Sequence, residues 1–116
     1  MEKRESILII DDSAVQADML RSILIEDYEI TIVNTAEEGL RLARAGDFSL
    51  VLLDVIMPGM DGFQLLKALQ EEVITQHIPV VLITSLGDTE HEERGLILGA
   101  VDYISKPYPP ILSRLG

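Results

Sequence analysis

The chain has 116 residues, no cysteine, and 20 acidic against 9 basic side chains, for a formal charge of −11. That length suits one domain, 1–116, able to bury roughly 65 % of its unfolded surface, and with 47 % hydrophobic but only 4 % aromatic residues its core must be aliphatic. The missing thiols exclude disulfides, thiolate metal centres and cysteine nucleophiles, and so negative a surface repels phosphate backbones and anionic lipid, so neither nucleic acid nor membrane is an expected partner of this chain.

The charged start, Met1 to Ser6, is followed by only four apolar residues, Ile7 to Ile10, too short a core for a signal peptide. No apolar run approaches the ~18 residues of a membrane helix. Cytoplasmic residence is the expectation. Ile7 to Ile10 reads instead as a buried strand ended by two acids. Val15, Met19, Leu20, Ile23 and Leu24 then recur at helical spacing. Ile30 to Val33 is β-branched and strand-like. Thr35-Ala-Glu-Glu38 has the form of a capping box, opening a helix to about Ala45 with Gly46 as its stop. Leu50 to Leu53 is a third strand. Pro58-Gly59 and Asp61-Gly62 mark a loop, after which Phe63, Leu66 and Leu69 begin a helix. Val80 to Ile83 is a fourth strand, Thr89 to Glu92 repeats the capping-box form, and Val101 to Ser105 is a fifth strand. Pro109-Pro110 can open a last helix, since proline is tolerated in a first turn. The helix after the fourth strand reads as weak. Thr89 to Arg94 contain no apolar residue, and Gly87, Gly95 and Gly99 bracket and interrupt it, each interior glycine costing roughly 1 kcal/mol relative to alanine.

Strands and helices alternate five times, and most of the strands are apolar on both faces. That pattern predicts an α/β, doubly wound parallel sheet covered by helices on both sides. In such a sheet the functional residues lie at the carboxyl ends of the strands. Asp11 and Asp12 follow strand one, Asp54 ends strand three, Thr84 and Ser85 end strand four, and Lys106 ends strand five. Alone, each has an ordinary reading: Asp11 or Asp12 as a helix cap, Asp54 as a loop residue, Thr84 as a turn former, Lys106 as a solvated cation. Those readings do not explain why all of them stand at strand ends of one sheet edge. Two unit charges 4 Å apart repel by on the order of 4 kcal/mol at an effective dielectric near 20, so three carboxylates facing one lysine call for a divalent cation. Oxygen-only ligands favour a hard ion such as Mg²⁺.

The chain resembles the receiver domain of two-component response regulators. The resemblance is carried by Asp11-Asp12, by Asp54 in Leu53-Asp-Val-Ile-Met-Pro-Gly-Met-Asp-Gly62, by Thr84-Ser85, by Gly99-Ala-Val-Asp-Tyr103 and by Lys106-Pro107, and it covers essentially the whole chain. It implies a five-stranded (βα)₅ flavodoxin-like fold with strand order 2-1-3-4-5. It implies Asp54 as phosphoacceptor from a phosphohistidine on a sensor histidine kinase or histidine phosphotransfer protein, so that the domain catalyses its own phosphorylation and dephosphorylation without turning over an external product. Mg²⁺ or Mn²⁺ would be held by Asp12 and Asp54, with Asp11 close by or acting through water, and by the backbone carbonyl of Ile56. Lys106 and Thr84 would each meet a phosphoryl oxygen. Thr84 and Tyr103 would form the switch on the face of the fourth and fifth strands and the last two helices. Ile56 and Leu86 occupy the positions that tune signal lifetime, and being apolar they imply a slow-decaying aspartyl phosphate. The Lys106–Pro107 bond would be cis. A homodimer is compatible with the family, and Lys106-Pro-Tyr-Pro-Pro-Ile111 is similar to the ending of receivers that precede cyclic-dinucleotide enzymes.

Other readings share parts of this pattern. A flavodoxin-like FMN binder would want a phosphate loop where Asp11-Asp12 stand. An aspartyl phosphatase would need an acid at position 56, which is isoleucine. A non-phosphorylated interaction module would not need the full set of side chains. His77 and His91 have no ligand partner at metal spacing and read as exposed, Met57 and Met60 as loop packing, and Glu90, Glu92 and Glu93 as a solvated face. After Pro110 only Ile111 to Gly116 remain, the end of an excised fragment or an unusually short last helix.

Overall fold

The computed structural model describes residues 4–55, 62–85 and 89–106. Five strands and four helices alternate in it: β1 (Ser6–Ile10), α1 (Ala14–Leu24), β2 (Glu29–Val33), α2 (Ala36–Ala45), β3 (Leu50–Asp54), α3 (Gly62–Glu71), β4 (Val80–Ser85), α4 (Thr89–Ile97) and β5 (Asp102–Lys106). All strand pairs are parallel, in the order β2-β1-β3-β4-β5. The chain leaves β1 toward one edge and returns to its other side for β3, so the order reverses between β1 and β3. Ile10 lies in register with Leu53, which brings the residues following β1 beside the end of β3.

Alternation along each strand divides the aliphatic residues between two cores. Leu8, Ile10, Leu53 and Leu82 pack with Ala36 and Ala43 of α2 and with Phe63, Leu66 and Leu69 of α3. Ile7, Ile9, Leu52 and Ile83 face the other way, onto Ala17 and Leu20 of α1. The apolar spacing of α1 overstates its buried face, because Val15 and Met19 are exposed. Beside α1 an apolar groove lined by Ile7, Leu20, Leu24, Leu52, Val81 and Ile104 lies away from the carboxyl edge of the sheet.

The helix ends follow local chemistry. Ser13 caps α1, its hydroxyl accepting from the Gln16 amide at 3.4 Å, so neither aspartate is the cap. Thr35 caps α2 by accepting from the Glu38 amide at 3.2 Å. Only half of that capping box forms, since the Glu38 carboxylate pairs with Arg41 instead. Gly46 ends α2 as read from the sequence. At the other candidate box, Thr89 is itself the first helical residue and Glu92 turns toward the sheet. Arg44 reaches from α2 to Glu72 past α3 in a two-pronged pair at 2.7 and 2.6 Å, which holds the Glu72 carboxyl below the usual range.

Two glycines serve close approach. A Cβ on Gly62 would stand 2.4 Å from the Asp54 carbonyl oxygen, so glycine lets α3 start against the end of β3. A Cβ on Gly95 would stand 2.0 Å from Leu82 Cδ1. The glycine that weakens α4 on propensity is therefore also what seats the helix on β4. Gly99, at φ +113°, closes α4: its amide donates to Leu96 and the Ala100 amide to Gly95, a glycine-terminated Schellman turn. No helix among the described residues is long and apolar enough to cross a membrane.

Candidate functional site

The site grows from the β1–β3 crossing. Asp11 and Asp12 directly follow β1, and Asp54 is the last residue of β3. Carboxylate oxygens of the three lie within 4.8 Å of one another. Asp11 is 1 % exposed and Asp54 6 %, whereas Asp12 opens to solvent. Asp11 Oδ1 accepts from the Ser13 amide at 2.9 Å, which pins the carboxylate and begins the turn into α1. Its Oδ2 is buried with no hydrogen-bond partner among the described residues. A shallow depression lined by Asp11, Asp12, Asn34 and Glu38 opens beside the cluster.

Electrostatics decide what this arrangement can hold. At 4.8 Å each pair of charged carboxylates repels by about 3–4 kcal/mol at an effective dielectric near 20. A buried charged oxygen without a donor adds a desolvation cost. A divalent cation would answer both, neutralising the cluster and giving the buried Asp11 carboxylate a partner. Three oxygen donors with no histidine or cysteine suit a hard ion, with the exposed side left to water. The residues present therefore fit a divalent metal.

Thr84, next to last in β4, is 2 % exposed. It lies one residue beyond Ile83, the register partner of Asp54. Its hydroxyl donates to Glu92 Oε2 at 3.5 Å, and the Ser105 hydroxyl donates to the same oxygen at 3.1 Å. Glu92 is thus half-buried and bonded to the sheet, not part of a solvated face; the parallel register sets Ser105 beside Thr84 and α4 lays Glu92 over both. Tyr103 is half-buried, in register with Leu82 and packed against the α2–α3 core. Lys106 is the last residue of β5, in register with Ser85. Ile56, Leu86, the Lys106–Pro107 bond, Met57, Met60 and the segment after Lys106 lie outside the described residues.

His77 is exposed as expected, but His91 is half-buried, its ring 5.4 Å from that of Phe63. The Arg94 guanidinium lies 4.3 Å from the centre of the same ring. An i, i+3 pair on α4 therefore clasps one aromatic of α3, with His91 half-buried and Arg94 still exposed.

The family model for the response regulator receiver domain matches residues 7–112. The chain is 37 % identical over 107 residues to the response regulator PleD of Caulobacter vibrioides, covering 91 % of this chain and 24 % of that protein. It is 35 % identical over 102 residues to a Vibrio cholerae protein named as a probable cyclic di-GMP phosphodiesterase, covering 88 % of this chain and 23 % of the other. The chain thus spans about a quarter of the length of these two curated relatives. Among solved structures, the signal receiver domain of a signal transduction histidine kinase from Syntrophus aciditrophicus superposes with a TM-score of 0.82 at 36 % identity, covering 96 % of this chain and 89 % of that one. With the fold, the strand order and the acidic cluster in place, this chain belongs to the response regulator receiver domain family.

Proposed function

We propose that the domain takes a phosphoryl group onto Asp54 from a phosphohistidine of a sensor kinase or phosphotransfer protein and signals by the change this causes on its β4–α4–β5 face. The observation that carries this reading is the carboxylate triad, Asp54 within 4.8 Å of Asp11 and Asp12, with a buried Asp11 oxygen that has no donor among the described residues. A carboxylate oxygen of Asp54 attacks phosphorus in line, the new O–P bond forms as the P–N bond to the donor imidazole breaks, and the imidazole leaves with the bond's electron pair. Such transfer needs positioning and charge neutralisation more than proton chemistry. Asp11, Asp12 and Asp54 would hold Mg²⁺ or Mn²⁺, together with the Ile56 carbonyl, and the bound ion would neutralise charge that develops on the phosphoryl oxygens. Lys106 offers a compact cation for one phosphoryl oxygen. The Thr84 hydroxyl is a donor for another, and Tyr103 is the aromatic that follows it. With Ile56 and Leu86 unable to hydrogen-bond an attacking water, the aspartyl phosphate decays slowly.

The sequence similarity to PleD and to the Vibrio cholerae phosphodiesterase supports a cyclic-dinucleotide enzyme as the output of the longer protein. A homodimer on the α4–β5 face would fit the same role, in the cytoplasm where the kinase acts.

Incubation with Mg²⁺ and acetyl phosphate, read by intact mass, tests the reading. The wild-type chain gains the mass of one phosphoryl group and Asp54→Asn gains none. Equal gain in both chains, or none in either, refutes Asp54 as acceptor and leaves the interaction-module reading.

A further inference from the structure

Glu92 stands in the first turn of α4, and one of its carboxylate oxygens receives two hydroxyls from the sheet: Thr84 of β4 at 3.5 Å and Ser105 of β5 at 3.1 Å. Thr84 and Ser105 are register partners on neighbouring parallel strands, so their side chains leave the same face of the sheet. A hydroxyl carries one proton and can donate one hydrogen bond at a time. Thr84 is 2 % exposed, so its donor is committed to protein rather than water.

We infer that Glu92 is a positioning residue that holds the Thr84 hydroxyl away from the acceptor site, competing with a phosphoryl group on Asp54 for the same proton. The inference rests on the reading of Asp54 as phosphoacceptor. If Thr84 gives its proton to a phosphoryl oxygen, Glu92 loses that bond. The added charge, about −1.5 to −2, also repels the Glu92 carboxylate. Ser105 keeps Glu92 seated while Thr84 is bound and remains its tether when Thr84 leaves. The first turn of α4 is then joined to the sheet by one hydroxyl instead of two, while Gly95 against Leu82 and the Phe63 clasp hold the rest of the helix. Phosphorylation is thereby converted into a change at the start of α4. The same contact biases the unmodified chain against phosphorylation, because the two arrangements share one proton and exclude each other.

The test is a double-mutant cycle on the full chain with Mg²⁺ and acetyl phosphate as the probes. The steady-state ratio of phosphorylated to unmodified protein is read by intact mass for wild type, Glu92→Ala, Thr84→Ala and the double variant. Glu92→Ala should raise the ratio about five-fold, the low end for coupling between sites, and should raise it by clearly less in the Thr84→Ala background, where only the charge repulsion is relieved. Glu92→Gln, which keeps the shape but loses the charge, should give a smaller rise, and it carries the test if circular dichroism finds the alanine variant unfolded. A ratio that stays level or falls in Glu92→Ala and Glu92→Gln overturns the inference, as does an equal rise with Thr84 absent, which would make Glu92 a through-space charge only. A wild-type chain that takes no phosphate overturns the acceptor reading and this inference with it. Phosphorylation without the coupling overturns the inference alone.

Discussion

Asp11 accepts from the Ser13 amide through Oδ1, while its buried Oδ2 has no donor among the described residues and two other carboxylates stand within 4.8 Å of the group. An aspartate so placed opposes folding unless a cation is present. Asp11→Asn should therefore stabilise the metal-free domain by about 1–3 kcal/mol, the usual penalty of an unsatisfied buried group. Saturating Mg²⁺ should stabilise wild type more than the variant and so offset that difference, since a ligand at a hundred times its dissociation constant stabilises by about 2.7 kcal/mol and the variant has lost a charged ligand. Urea unfolding of both proteins with Mg²⁺ and with chelator checks this; an equal Mg²⁺ gain in both would remove Asp11 from the metal site. At this scale the acids were legible because each sits directly after an apolar run. Glu92 and Ser105 were not. Glu92 is one of three glutamates around His91, with Glu90 and Glu93, and nothing local marks one of them as turned inward. Only the β4–β5 register and the path of α4 select it.

Among the described helices α4 has the least to hold it. Its one buried residue is a glycine, whereas α3 buries Phe63, Leu65, Leu66 and Leu69. It is also the shortest, at nine residues. Helical stability in proteins comes mainly from burying an apolar face, so α4 should open with the lowest free energy. Hydrogen exchange should find the α4 amides less protected than those of α1, α2 and α3, and uniform protection across the four would contradict this. The weakness was readable in the polar stretch Thr89 to Arg94 and in the glycines. The attachment was not, because Gly95 against Leu82 and the clasp of His91 and Arg94 on Phe63 join elements about thirty residues apart or packed across the layer. The second capping-box pattern misled for a related reason. A glutamate in the first turn of a helix can reach back to its own backbone or outward to a neighbour, and here two sheet hydroxyls supply the neighbour.

Over the whole molecule the formal charge of −11 acts against compactness. The described ion pairs, Arg41–Glu38 and Arg44–Glu72, are both on the surface, where such pairs contribute little. Net repulsion should therefore dominate. Raising KCl from about 0.01 to about 1 M shortens the screening length from about 30 to about 3 Å, and the melting temperature in chelator should rise. A fall would mean that the two pairs outweigh the net charge. The order of apolar runs and helical periods determined the fold class, since a strand apolar on both faces must be covered on both sides and right-handed crossovers leave few ways to do it. Composition likewise determined that the core is aliphatic and the surface acidic. Only the tertiary structure decided which side chains meet. The reversal of strand order between β1 and β3 brings Asp11 and Asp12 to Asp54 across more than forty residues, and the β4–β5 register sets Thr84 and Ser105 under Glu92. Periodicity reports which face of an element is buried, but the distance between two elements is set by how they pack, and a local pattern carries no record of that distance.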